Sequence, residues 1–197
     1  SPLKVNMERL VEKLSRKLRG EYIVMGAMRY GNPSIASVIR SLPAGSDLTV
    51  LPLYPQYSSA TTGSAILEVT RNIKRSASFG NVSFIDQFNS DVNFIKAFSE
   101  KLSKYDPHGF DHVVFSYHSL PLRQIKKIHP GVDPMECDCQ SLVPGYGKKC
   151  YMAMCYETSR LLAESLKLNE EMITTAFQSR MSKNWLGPFT DDVIHRL

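Results

Sequence analysis

Residues 112–121 read HVVFSYHSLP, and the first half of this stretch decides the fold class. Val113, Val114 and Phe115 form a continuous apolar run, the pattern of a parallel strand buried on both faces. The run then passes through Ser116, Tyr117 and His118 and turns at Pro121. Polar groups in line with a buried strand need partners or a task. Four other stretches share the strand pattern: Tyr22 to Met28, Asp47 to Tyr54, Val82 to Phe88 and Met172 to Phe177. Between them lie helical stripes. Leu3, Met7, Leu10 and Leu14 follow a Ser1-Pro2 start signal, and Ile66, Val69 and Ile73 share a face within Thr61 to Arg75. Val92, Ile95, Phe98 and Leu102 follow an N-cap at Ser90, and Cys155, Ser159, Leu162 and Leu166 form the last stripe. Strand and helix alternate, so the expected class is α/β with parallel sheets. The best seam lies at 88–92, which divides the chain into domains 1–90 and 91–197.

The 197 residues are 43% hydrophobic and 22% charged, an ordinary globular composition. The net charge of +5 suits an anionic ligand, an acidic membrane surface or nucleic acid and selects none of them. Basic residues are scattered apart from Arg123, Lys126 and Lys127, and no RRM-like or zinc-finger pattern is present, which argues against nucleic acid. No apolar run reaches the roughly 20 residues a membrane span needs. No signal peptide is visible. The chain begins without Met, and a helix is being started at Thr190 to Val193 just before Leu197. The expectation is a chain incomplete at both ends.

In open α/β sheets, ligands bind at the carboxyl ends of the strands. Four such ends carry polar residues: Arg29-Tyr30-Gly31-Asn32-Pro33, Gln56 to Ser64, Ser116-Tyr117-His118 and Gln178-Ser179-Arg180, with Trp185 shortly after. Turn and cap chemistry accounts for any one of them. Together they suggest a site. His118 is the candidate base or metal ligand, since imidazole titrates near neutral pH. There is no G-x-S-x-G elbow, Walker A or G-x-G-x-x-G loop, which argues against a serine hydrolase and a nucleotide enzyme. His108, His129 and His195 read as surface residues.

All four cysteines fall in one short segment: Cys137, Cys139, Cys150 and Cys155, spaced C-x-C-x10-C-x4-C. Cys150 and Cys155 cannot share a helix face, so Cys150 should precede the helix. Free thiols and disulfides are both possible, but four thiolates around a metal centre is the favoured reading. Tetrahedral zinc and a [2Fe–2S] cluster each accept four cysteines, and the spacing matches neither standard zinc pattern.

The motifs MRYGNP, LYPQYSSATTGS, SYHSLP and FQSRMSKNWLGPFTDD, in that order, resemble those of the ferrochelatases, and the resemblance covers essentially the whole chain. It implies two Rossmann-like, chelatase-type domains that hold a porphyrin in a cleft between them. It also implies insertion of ferrous iron into that porphyrin during haem synthesis, with protoporphyrin IX ahead of coproporphyrin III. By this likeness His118 is the catalytic histidine beside the pyrrole nitrogens and a ligand for incoming iron. Arg29, Tyr30, Tyr57, Ser58, Thr61, Thr62 and Trp185 are the implied substrate-binding residues. Some family members carry a [2Fe–2S] cluster on cysteines in an internal segment. Others use a cysteine where this chain has Ser59, which favours the internal arrangement with Cys137, Cys139, Cys150 and Cys155 as ligands in an insertion at about 130–155. The resemblance thereby moves the expectation from zinc to [2Fe–2S]. It further implies a cytoplasmic protein with peripheral contact at the inner membrane, partnered by porphyrin and ferrous iron.

The chain departs from the pattern in two places. The family's N-terminal strand with its glycine-containing loop, and a glutamate well after the W-L-x-P segment, have no counterpart here. The alternative function is therefore a haem- or metal-binding protein of the same fold with impaired catalysis. A structural domain with a zinc staple leaves the ordered strand-end motifs unexplained.

Overall fold

A computed structural model describes residues 2–76, 79–129, 131–133, 136–141 and 149–197. The expected cap at Ser1 lies outside them. The chain divides into two compact units: residues 1–52 with 63–85, and residues 53–62 with 86–197.

The first unit holds α1 (Pro2–Lys17), α2 (Ile35–Ser41), β1 (Leu48–Val50), α3 (Ser64–Ile73) and β2 (Val82–Phe84). Strands β1 and β2 pair in parallel, Leu48 with Val82 through Val50 with Phe84. Ile35, Ile39 and Val69 pack beneath them. Both strands are shorter than their apolar runs. Pro52 and Pro55 lack the N–H groups that would extend the ladder past Val50. The stretch Tyr22 to Met28 departs further from expectation. Among the described residues it forms no strand, only a single bridge from Met28 to Ser34. Tyr22 and Ile23 are 61% and 73% exposed. The segment runs so close to α1 that a Cβ on Gly26 would sit 3.0 Å from Val11. An apolar run by itself guarantees neither burial nor the neighbouring ladder that makes a strand.

The second unit holds α4 (Val92–Leu102), β3 (Val113–His118), α5 (Leu122–Lys126), α6 (Tyr151–Leu166), β4 (Ile173–Gln178) and α7 (Thr190–Ile194). Asp91, not Ser90, caps α4: its carboxylate accepts from the N–H groups of Asn93 and Phe94. A charged acceptor there also meets the positive end of the helix. Strands β3 and β4 are parallel in full register, Val113 with Ile173 through His118 with Gln178. Ile95, Phe115, Leu162, Ala163, Leu166 and Leu168 form one core cluster. A second contains Ile125, Met152, Phe177 and Leu186 together with Cys139, Cys150 and Cys155. Helix α6 has nine buried residues and is the unit's central element.

Candidate functional site

The site grows from the carboxyl end of β3. His118 is the last residue of the ladder, and its side chain is exposed. The residues that follow are buried and tightly held. Ser119 N–H donates to Gln178 O at 2.8 Å, and its hydroxyl donates to Leu186 O at 2.7 Å. Leu186 N–H donates to Leu120 O at 2.8 Å, and Leu122 N–H to Asn184 O at 3.0 Å. These bonds lace the turn after β3 to the loop carrying Trp185, which bridges Pro121. The His118 carbonyl accepts the Tyr151 hydroxyl at 2.8 Å. Burial, and then the neighbouring Cys155, hold the Tyr151 phenol far above its usual range, so it remains a donor. His118 thus has an immobile backbone and an imidazole turned to solvent.

Beside this strand end lies a cavity of about 110 Å³ lined by Tyr57, Ser58, Leu120, Gln124, Ile125 and Tyr151. The Lys149 ammonium sits 5.1 Å from the centre of the Tyr57 ring and is paired with Asp86 at 3.0 Å. The Asp86 hydrogen bond leads the influences that raise its pKa. Ser58 is buried; its hydroxyl lies 2.6 Å from that of Thr61 and accepts Thr61 N–H at 3.1 Å. Thr62 is fully buried, and its hydroxyl has no hydrogen-bond partner among the described residues. The loop ends in a π-helical turn, Ser59–Gly63, that runs into α3.

In the first unit, Arg29 donates from Nε to the Ser64 hydroxyl at 2.9 Å, and its guanidinium lies 4.6 Å from the centre of the Tyr30 ring. Tyr30 is 77% exposed.

The second centre is a thiol cluster. Cys139, Cys150 and Cys155 are fully buried and Cys137 partly so, all four as free thiols. Cys150 occupies the N-cap of α6. Burial is the main force raising the thiols of Cys139, Cys150 and Cys155. For Cys150 the amide groups of Ala153 and Met152 at the helix start oppose that rise. Cys137 and Cys139 are joined by a thiol hydrogen bond.

His129 corrects the expectation of a surface residue. It is 2% exposed and lies inside this cluster. Its Nδ1 is 3.0 Å from Ile125 O and its Nε2 3.0 Å from Cys139 Sγ. The ligand atoms of His129, Cys139 and Cys150 lie within 4.8 Å of one another. Imidazole and thiolate donors in that arrangement suit zinc or an iron–sulfur centre. The available sequence signal was a histidine eight residues before the C-x-C pair. His108 and His195 are exposed, as expected.

The sequence model described as Ferrochelatase matches residues 1–197. The ferrochelatase of Legionella pneumophila (strain Paris) is 41% identical over 200 residues, covering 100% of this chain and 59% of that protein. The ferrochelatase of Coxiella burnetii (strain Dugway 5J108-111) is 36% identical over 207 residues, covering 100% of this chain and 56% of that protein. The chain therefore spans a little under three fifths of these relatives' length. A match along its whole length, on a parallel-stranded α/β framework with a histidine exposed at a strand end, means that the chain belongs to the ferrochelatase family.

Proposed function

We propose that the protein inserts ferrous iron into a porphyrin, protoporphyrin IX in preference to coproporphyrin III, in haem synthesis. The observation that carries this reading is His118: an exposed imidazole on a backbone locked by β4, by the 184–186 loop and by Tyr151. Metal insertion replaces two pyrrole N–H protons with one divalent ion, so a base must stand beside the macrocycle. Neutral imidazole fills that role at physiological pH and offers the same lone pair to arriving iron. Holding the His118 backbone immobile lowers the cost of aligning the base with its proton.

Arg29 is positioned to meet a propionate through the guanidinium face not used by Ser64. Tyr30 offers an exposed aromatic surface to a flat apolar ligand. In the second unit, Trp185 packs near the macrocycle beside His118. Tyr57, Ser58 and Thr61 line the approach, whereas Thr62, being fully buried, acts by supporting that loop.

The thiol cluster is assigned to a [2Fe–2S] centre, with zinc as the alternative. Buried sulfur and imidazole donors within 4.8 Å fit either. When bound, the centre supplies a crosslink between the cysteine segment and α6. No described helix is long and apolar enough to cross a membrane. A poorly soluble porphyrin makes peripheral membrane contact part of the proposal.

The test is anaerobic iron insertion by the full-length protein, with each porphyrin in turn, comparing wild type with His118→Ala. The reading expects turnover in the first and its loss in the second. Absence of insertion by wild type, with tight haem binding retained, would favour the non-catalytic alternative.

A further inference from the structure

Cys150 is the N-cap of α6, with an extended backbone, and Cys155 lies five residues on, inside the helix. Cys150, at the N-cap, lies with Cys139 and His129. Cys155 lies within the helix and shares a hydrogen bond with the Tyr151 hydroxyl. Its other charged-state neighbours are Cys150 and the phenols of Tyr117 and Tyr156, although its sulfur lies outside the group of ligand atoms formed by His129, Cys139 and Cys150. His129, rather than Cys155, has its ligand atom within 4.8 Å of those of Cys139 and Cys150.

The His129 ring is also oriented as a ligand would be. A backbone carbonyl can only accept, so the nitrogen facing Ile125 O must carry the hydrogen. In the neutral ring this leaves the lone pair on Nε2, which faces Cys139 Sγ. Metal-binding imidazoles adopt this arrangement, donating the distal N–H to a backbone carbonyl that fixes tautomer and direction. Ile125 O, at the end of α5, also accepts Ile128 N–H at 2.9 Å, so the acceptor facing the ring is held in place by the helix end. In the metal-free state the Cys139 S–H is the donor to Nε2.

Distances fit a shared ion. Tetrahedral zinc with ordinary bond lengths places its nitrogen and sulfur ligands about 3.6 Å apart and its sulfur ligands about 3.8 Å apart. The present N–S separation of 3.0 Å needs to open by about half an ångström once the thiol proton leaves.

We propose that His129, through Nε2, is a direct ligand of the metal centre together with Cys137, Cys139 and Cys150, and that Cys155 is not a ligand. This rests on the metal-centre reading above and changes its ligand set. In a [2Fe–2S] cluster it makes one iron mixed in ligation, and an imidazole in place of a thiolate raises the reduction potential.

The experiment is pulsed EPR on anaerobically purified full-length protein after dithionite reduction. If the metal found is zinc, cobalt(II) exchanged into the site serves as the probe. A strongly coupled, directly bonded ¹⁴N in wild type is expected. It should vanish in His129→Cys, with metal retained on four thiolates, and persist in Cys155→Ser at unchanged metal content. A wild-type spectrum without directly bonded nitrogen overturns the proposal without recourse to any variant. So does loss of metal in Cys155→Ser alongside retention in His129→Gln, which would restore the four-cysteine set. Wild-type protein that takes up no iron–sulfur, zinc or cobalt overturns both this proposal and the metal centre. Neither result touches the role given to His118, which the insertion assay tests separately.

Discussion

His118 and His129 stand eleven residues apart and have opposite environments. His118 ends a strand in full register, its backbone pinned and its ring exposed. His129 follows a short helix, its ring buried to 2% exposure and engaged at both nitrogens. The difference separates two kinds of work. An exposed imidazole on an immobile backbone suits a ligand that arrives and leaves. A buried imidazole among thiols suits a group that stays. The N-terminus of α6 joins the two regions: Cys150 belongs to the buried cluster, and Tyr151, the next residue, donates to the His118 carbonyl.

The contrast can be broken most directly at His118. His118→Ala should lower iron insertion by about 10²- to 10⁴-fold, the usual worth of a positioned general base. Its urea midpoint should not move, because an exposed side chain is removed. Near-normal turnover would remove the catalytic role. The mirror-image change, His129→Ala, should cost about 2–3 kcal/mol of stability through the cavity left by the buried ring. Urea unfolding measures this, and an unaltered midpoint would mean that the buried ring contributes nothing to the fold.

Alkaline pH should affect the buried region alone. The Tyr156 phenol is pushed up to about 12, by burial first and then by Cys155. A phenol raised in the folded state contributes stability that is complete below its ordinary value of 10.0 and lost as pH rises through about 12. Cys155, raised by burial from 9.0, acts in the same direction from a lower starting point. Stability of the metal-free protein should therefore fall as pH rises from about 9 through about 12. A flat profile would contradict the burial of these groups. The smallest effect belongs to the link itself. Tyr151→Phe removes one hydrogen bond, worth about 1 kcal/mol. It should reduce kcat several-fold with little change in KM if it positions His118, and a KM effect alone would refute that.

Much of this protein was legible as pattern. The apolar run at 113–115 and its counterpart at 173–177 predicted parallel strands, and β3 and β4 pair as such. The C-x-C-x10-C-x4-C spacing required Cys150 to precede α6, and it caps that helix. The run at 22–28 misled, because local hydrophobicity is the same whether or not a paired strand lies alongside. Ser90 and Asp91 are both competent caps, and only the backbone path chose the aspartate.

Composition and periodicity alone determined the α/β class, the carboxyl-end position of His118 and the crowding of four thiols in one segment, since each depends on spacing along the chain. Tertiary structure alone decided that His129 enters the thiol cluster and that Tyr151 reaches the His118 carbonyl. Those facts depend on contacts between residues far apart in the sequence, such as Tyr151 with His118. Side-chain direction follows from packing between elements, and no local pattern encodes it.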